Sequence, residues 1–289
     1  MSPDAEPLRS HVEMLAGTIG ERNVWRYANL RKADDYISST LERHGLRAER
    51  QTFDVSRLPV SNISGESSGT DPAAEILVVG AHYDTVSNCP GANDNATGVA
   101  ALLELSRRFR DRTHARTIRF VAFVNEEPPF FQTSQMGSLV YAQAARTRGD
   151  RIIGMLSLET MGYYSDEPGS QHYPPPLDAI HPDKGNFIGF VSNSRSEPFL
   201  RDAERAFRSG SNFPLEVAAA PETLPGIGWS DHWSFWEAGY PALMVTDTAP
   251  FRYPWYHQPG DTPERICFDR LADVVDGLEA VLLTFSGAR

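Results

Sequence analysis

Ile76-Leu77-Val78-Val79-Gly80-Ala81-His82-Tyr83-Asp84 decides the reading of this 289-residue chain. Its unbroken apolar opening reads as a strand buried on both faces. The run ends in His82-x-Asp84, which delivers an imidazole to the edge of a sheet with a carboxylate close by. A metal-bound histidine usually gives its second ring N–H to a carboxylate, carbonyl or water, which fixes its tautomer. Alone, a strand-end histidine reads as a satisfied residue of the core or its rim. The company it keeps changes that reading: Asp94 in Gly91-Ala92-Asn93-Asp94-Asn95, the pair Glu126-Glu127, Glu159 and His257. Each of these falls at the end of an apolar segment or in a turn beside one.

Around that stretch, strands and helices are predicted to alternate. The start reads helical, with Leu8, Val12 and Leu15 on one face, then Leu30, Ala33, Ile37 and Leu41 repeating until His44-Gly45. A strand is expected over 46–55, followed by a Gly/Ser-rich turn over 64–70. Strands follow at 76–81, 117–124, 152–158, 186–191 and 240–245. Helices are expected at 97–109, 137–146, 197–207, 230–238 (capped by Ser230 or Asp231) and 270–285. Short apolar strands between helices imply an α/β fold, a three-layer α/β/α sandwich around a mostly parallel mixed sheet. In such sheets the ligand site lies outside the carboxyl ends of the strands. His82, Glu126-Glu127 and Glu159 each follow a strand candidate, so the fold brings them to one edge. The stretch 163–184, with five prolines, is either a rigid surface excursion or a wall of the substrate cleft.

Composition sets outer bounds. A hydrophobic share of 40% suits a globular protein with a sizeable core, and one domain over 1–289 is expected. A net charge of −11 argues against nucleic acid or an anionic membrane as partner. No apolar stretch approaches the roughly 20 residues that span a bilayer, and Met1–Pro7 has no signal-peptide pattern. With Cys89 and Cys267 as the only cysteines, a reducing, cytoplasmic setting is the default, though a pairing of the two stays open.

GAHYDTV, GANDNATG, VNEEPP, SLETMG, SDHWSFWEAGYPA and YHQPGDT, in this order, resemble the co-catalytic dizinc exopeptidases of metallopeptidase family 28. That family includes aminopeptidases and glutamate carboxypeptidases, with glutaminyl cyclases as relatives. The resemblance runs from Gly80 to Asp261. It implies two zinc ions, one held by His82 and Glu159, the other by Glu127 and His257, with Asp94 bridging them. It makes Glu126 the general base and Asp84 the support of His82, and it suggests that the Tyr256 hydroxyl holds the developing oxyanion. It also suggests a cis peptide bond after Asp94. One departure stands out, because many members carry aspartate where this chain has Glu159.

The chemistry agrees with the resemblance. Two ions about 3.5–4 Å apart can activate a shared water and stabilise both oxygens of a tetrahedral intermediate. Imidazole with carboxylate suits zinc, and cobalt or manganese would also fit. The expectation is a metallo-aminopeptidase that removes hydrophobic N-terminal residues from peptide substrates. Several readings stay open: Tyr256 as an aromatic cleft wall, Asp231 as a cap or a support for a ligand, and Arg252 as a clamp for a substrate carboxylate. The last would make the enzyme a carboxypeptidase or amidohydrolase. A one-zinc glutaminyl cyclase is a further alternative.

Overall fold

The computed structural model describes residues 4–71, 75–175 and 177–288. Among the described residues eight strands form one sheet: β1 (Ala48–Val55), β2 (Leu58–Ser67), β3 (Ile76–His82), β4 (Thr117–Phe123), β5 (Ile152–Glu159), β6 (Ile188–Ser192), β7 (Leu215–Ala219) and β8 (Ala242–Thr246). Their spatial order is β1-β2-β4-β3-β5-β8-β6-β7. The four central strands β4, β3, β5 and β8 run parallel, while β2 pairs antiparallel with both β1 and β4, and β6 antiparallel with β8.

The apolar run of β3 is buried along its whole length because the sheet is covered twice. Leu77, Val79 and Ala81 join one core with α1 (Ala5–Val12), α2 (Tyr27–Arg43), α3 (Thr97–Arg108), α5 (Glu197–Gly210) and α8 (Phe268–Ser286). Ile76 and Val78 join the other, under α4 (Gly137–Arg148) and α6 (His232–Glu237). Side chains alternate across a strand, so this division gives the three layers expected. Among the described residues no helix is long and apolar enough to cross a membrane.

Several local expectations change. The Gly/Ser segment expected as a turn over 64–70 belongs in part to β2, whose register sets Gly65 opposite Ala48 and Phe120. Backbone ladders on both sides hold that strand, so it does not need apolar side chains. Its buried Asn62 instead donates to the Gly137 carbonyl and to Gln51. Strand β7, on the sheet's edge, went unread. Helix α6 is not capped by a side chain from Ser230 or Asp231. His114 is buried between Ser67 and the Arg116 carbonyl. Cys89 and Cys267 are unpaired thiols.

Candidate metal centre

The parallel strands end along one edge, and the site residues lie there. His82 closes β3 and Glu159 closes β5, while Glu126 and Glu127 follow β4. Asp94 lies in the connection from β3 to α3, and His257 follows β8 and the short helix α7 (Ala249–Arg252). Two glycines make the Asp94 turn possible. Gly91 has a φ of 67°, a backbone state that costs glycine nothing. At Gly98 a Cβ would lie 2.3 Å from the Leu158 carbonyl oxygen, so only glycine lets α3 seat against the end of β5. The Asp94–Asn95 peptide is cis.

The donor atoms form two groups that meet at Asp94. Nε2 of His82 is 3.3 Å from Asp94 Oδ1 and 3.2 Å from Glu159 Oε2. Nε2 of His257 is 3.1 Å from Asp94 Oδ2 and 3.2 Å from Glu127 Oε2. Yet neither imidazole Nε2 makes a hydrogen bond, and Asp94 Oδ1 and Glu127 Oε1 are likewise buried without a partner. These atoms are aimed past one another, at common points. Donors about 2.0–2.2 Å from one tetrahedral ion stand about 3.3–3.6 Å apart, close to the 3.1–3.3 Å between each imidazole nitrogen and its two carboxylate oxygens. His82, Asp94 and Glu127 also come close enough together to share one ion.

Electrostatics points the same way. Asp84, Asp94, Glu126, Glu127 and Glu159 are all buried here, against the imidazoles of His82 and His257. Buried charges persist when paired or coordinated to metal. Burial and the Asp94 charge push Glu127 up to about 7. Burial raises Glu126 well above the usual carboxylate range; the His82 charge opposes this, and Glu159, Glu127 and Asp231 add to it. Against their burial, the acids around His82 raise it well above the ordinary imidazole value, and His257 rises to about 10. A divalent cation would neutralise this surplus, and a mixed imidazole–carboxylate set fits zinc.

Supporting contacts fix the donors. The two carboxylate oxygens of Asp84 accept the backbone N–H groups of Glu126 and Glu127, at 3.1 and 3.2 Å. Asp84 thus holds the loop after β4 as well as flanking the His82 ring, 3.6 Å from Nδ1. Three residues at the site take positive φ without being glycine: Asn125 before Glu126, Thr160 after Glu159, and His257 itself. A β-branched residue such as Thr160 adopts that state only where its surroundings impose it. Here Asn95 accepts its N–H, Thr246 meets its hydroxyl, and its carbonyl accepts from Asp247.

Other supports were not evident from the sequence. Ser230 donates to Glu159 Oε2 at 2.7 Å. Asp261 accepts the backbone N–H groups of Asn93 and Asp94 and the Tyr253 hydroxyl, fixing the Asp94 turn. Asp261 sits inside the YHQPGDT segment, which was the one signal available for it. Arg22 is wholly buried and donates to the carbonyls of Tyr83, Pro90 and Gly91. It ties down the chain between His82 and Asp94.

The remaining candidates fall differently. Asp231 is buried, and its carboxylate oxygens have no hydrogen-bond partner among the described residues. His232 donates its Nε2–H to the Ile227 carbonyl, away from the donor groups. Tyr256 stacks on the His257 ring at 3.9 Å. Burial and the charges of Asp94, Glu127 and Glu159 raise its phenol further above neutral pH, so it remains a proton donor. Arg252 is buried and donates to Gln171 and to the carbonyls of Phe187 and Tyr163. Its guanidinium fastens the loop 163–187 to α7 and is not placed as a carboxylate clamp.

Beside Glu159 and Tyr256 opens an apolar pocket walled by Phe187, Phe190, Ile227, Trp229, Met244 and Phe251. Tyr173, Pro174, Leu177 and His181 also line it, so part of the stretch 163–184 walls this pocket.

Residues 62–282 match the sequence profile of Peptidase family M28. The chain belongs to that family. It is 36% identical over 286 residues to YfbL, an uncharacterized protein of Escherichia coli (strain K12), covering 96% of this chain and 87% of YfbL. Aminopeptidase YwaD of Bacillus subtilis (strain 168) is 29% identical over 218 residues, and the match spans 72% of this chain but 40% of YwaD. Among solved structures, BSAP, a zinc aminopeptidase from Bacillus subtilis, superposes with a TM-score of 0.78 at 17% identity, over 99% of this chain and 95% of that one. Tannerella forsythia glutaminyl cyclase does so at 0.69 and 20%, over 96% and 97%. At such identities these likenesses establish the fold, which that zinc aminopeptidase and that glutaminyl cyclase share.

Proposed function

We propose that this M28 chain is one catalytic domain that uses two zinc ions to remove large apolar residues from the amino terminus of peptides. The observation that carries the reading is the pair of donor groups sharing Asp94: His82, Asp94 and Glu159 on one side, His257, Asp94 and Glu127 on the other. Other divalent metals could replace zinc in such a set. When bound, the ions polarise the scissile carbonyl and make water a nucleophile near neutral pH. Glu126, which no donor group uses, takes a proton from the attacking water and passes it to the leaving amine. A base positioned this way contributes about 10²–10⁴-fold. Tyr256 directs its hydroxyl to the carbonyl oxygen as negative charge gathers there.

The pocket argues for the amino-terminal direction. Glu159 lies on its wall, so a first side chain in the pocket sets the free α-ammonium beside the Glu159 and Glu126 carboxylates. Arg252, the basic group a carboxypeptidase reading needs, is buried, with its Nε and one terminal nitrogen held by Gln171 and backbone carbonyls. Two complete donor groups also favour hydrolysis over one-metal cyclisation of glutamine. The partner is thus a peptide, with no role proposed for nucleic acid or membrane.

Leucine and phenylalanine arylamides are therefore expected to be hydrolysed, and their N-acetylated forms left intact. Acetylation removes the charge and adds bulk where those carboxylates sit. Cleavage of N-acylated peptides from the carboxyl end would overturn this direction.

A further inference from the structure

Among the described residues, the large hydrophobic side chains left exposed are Trp25 at 58%, Ile180 at 72% and Trp229 at 47%. Trp229 lines the pocket beside Glu159, and Ile180 lies in the loop whose Leu177 and His181 line it. Trp25 lies outside the lining of that pocket. Its ring stacks on Phe130, with centroids 6.1 Å apart and planes 22° from parallel. The Phe130 N–H in turn donates to the Glu127 carbonyl at 3.0 Å. The aromatic pair thus adjoins Glu127, while the pocket adjoins Glu159.

Trp25 is exposed but firmly mounted. Asn23 Oδ1 accepts the N–H groups of Trp25 and Arg26, and Asn23 Nδ2 donates to the Thr85 carbonyl. The Arg22 N–H donates to Thr85 Oγ1, its Nε to the Tyr83 carbonyl, and its own carbonyl accepts the Thr85 N–H. Tyr83 to Thr85 follow His82 directly, so Trp25 rides on the segment that carries a metal donor and Asp84. Rigid aromatic anchors give contact area at low cost in conformational entropy.

We infer that Trp25, backed by Phe130, is the subsite for the side chain of the residue after the scissile bond, and that it selects peptides whose second residue is large and apolar. This rests on the aminopeptidase reading. With the first side chain in the pocket and the carbonyl facing Glu126, an extended chain advancing about 3.3–3.6 Å per residue leaves over the Glu127 flank. The second side chain then meets the exposed face of Trp25.

The test compares kcat/KM for the dipeptides Leu-Phe and Leu-Gly in the unmodified enzyme, Trp25→Ala and Trp25→Phe. The unmodified enzyme should prefer Leu-Phe. Trp25→Ala should reduce that preference by about tenfold, the upper range of an aromatic contact, and Trp25→Phe should keep most of it. An equal loss on both dipeptides in Trp25→Ala, or no preference in the unmodified enzyme, overturns the subsite. Failure of the unmodified enzyme to cleave either dipeptide is a different signature: it overturns the aminopeptidase reading, and the subsite with it.

Discussion

Glu126→Gln is expected to lower turnover by about 10²–10⁴-fold while the protein retains its metal. The substitution keeps the shape of the side chain and removes its ability to take a proton. Glu126 stands apart from the donor groups: its Oε2 is 3.9 Å from His82 Nε2, whereas the Glu159 oxygen is 3.2 Å away. Its backbone is held by Asp84, which the variant leaves untouched. Metal content and kcat measured on the same preparation separate the two roles. Full activity in Glu126→Gln would remove the residue from the mechanism, and loss of metal would make it a ligand.

Asp94→Asn should act on metal first. Each carboxylate oxygen of Asp94 faces a different imidazole, so replacing one with an NH₂ group aims a donor at a cation position and weakens the bridge. The expected loss of zinc affinity exceeds about a hundredfold, the upper end of what losing a mere supporting partner costs. Activity should fall to background alongside it. Competition against a chelator, followed by activity at saturating zinc, checks both parts. Unchanged zinc affinity in this variant would show that Asp94 does not bridge.

The central strands were legible because burial on both faces leaves short continuous apolar runs, as in Ile76–Ala81, too short for a buried helix. Once those runs were parallel strands, the carboxyl-edge rule brought His82, Glu126, Glu127 and Glu159 together without further information. Asp94 and His257 needed the family motifs, since both lie in turns where spacing says little. Strand β2 was hidden because Ser61 and Asn62 are buried through hydrogen bonds rather than apolar contact. Arg22 and Ser230 were hidden for another reason. Their partners at the site, Tyr83 and Glu159, lie 61 and 71 residues along the chain, and nothing local distinguishes a buried arginine or serine from an exposed one. The helix cap expected at Ser230 or Asp231 failed because Ser230 bonds Glu159 instead.

The central claim is that Asp94 joins two metal positions. Anomalous diffraction at the zinc edge, from crystals of the zinc-loaded protein, tests it most directly. Two peaks are predicted, one among His82, Asp94 and Glu159, the other among His257, Asp94 and Glu127. A single peak at saturating zinc, or a second peak away from His257, would contradict it.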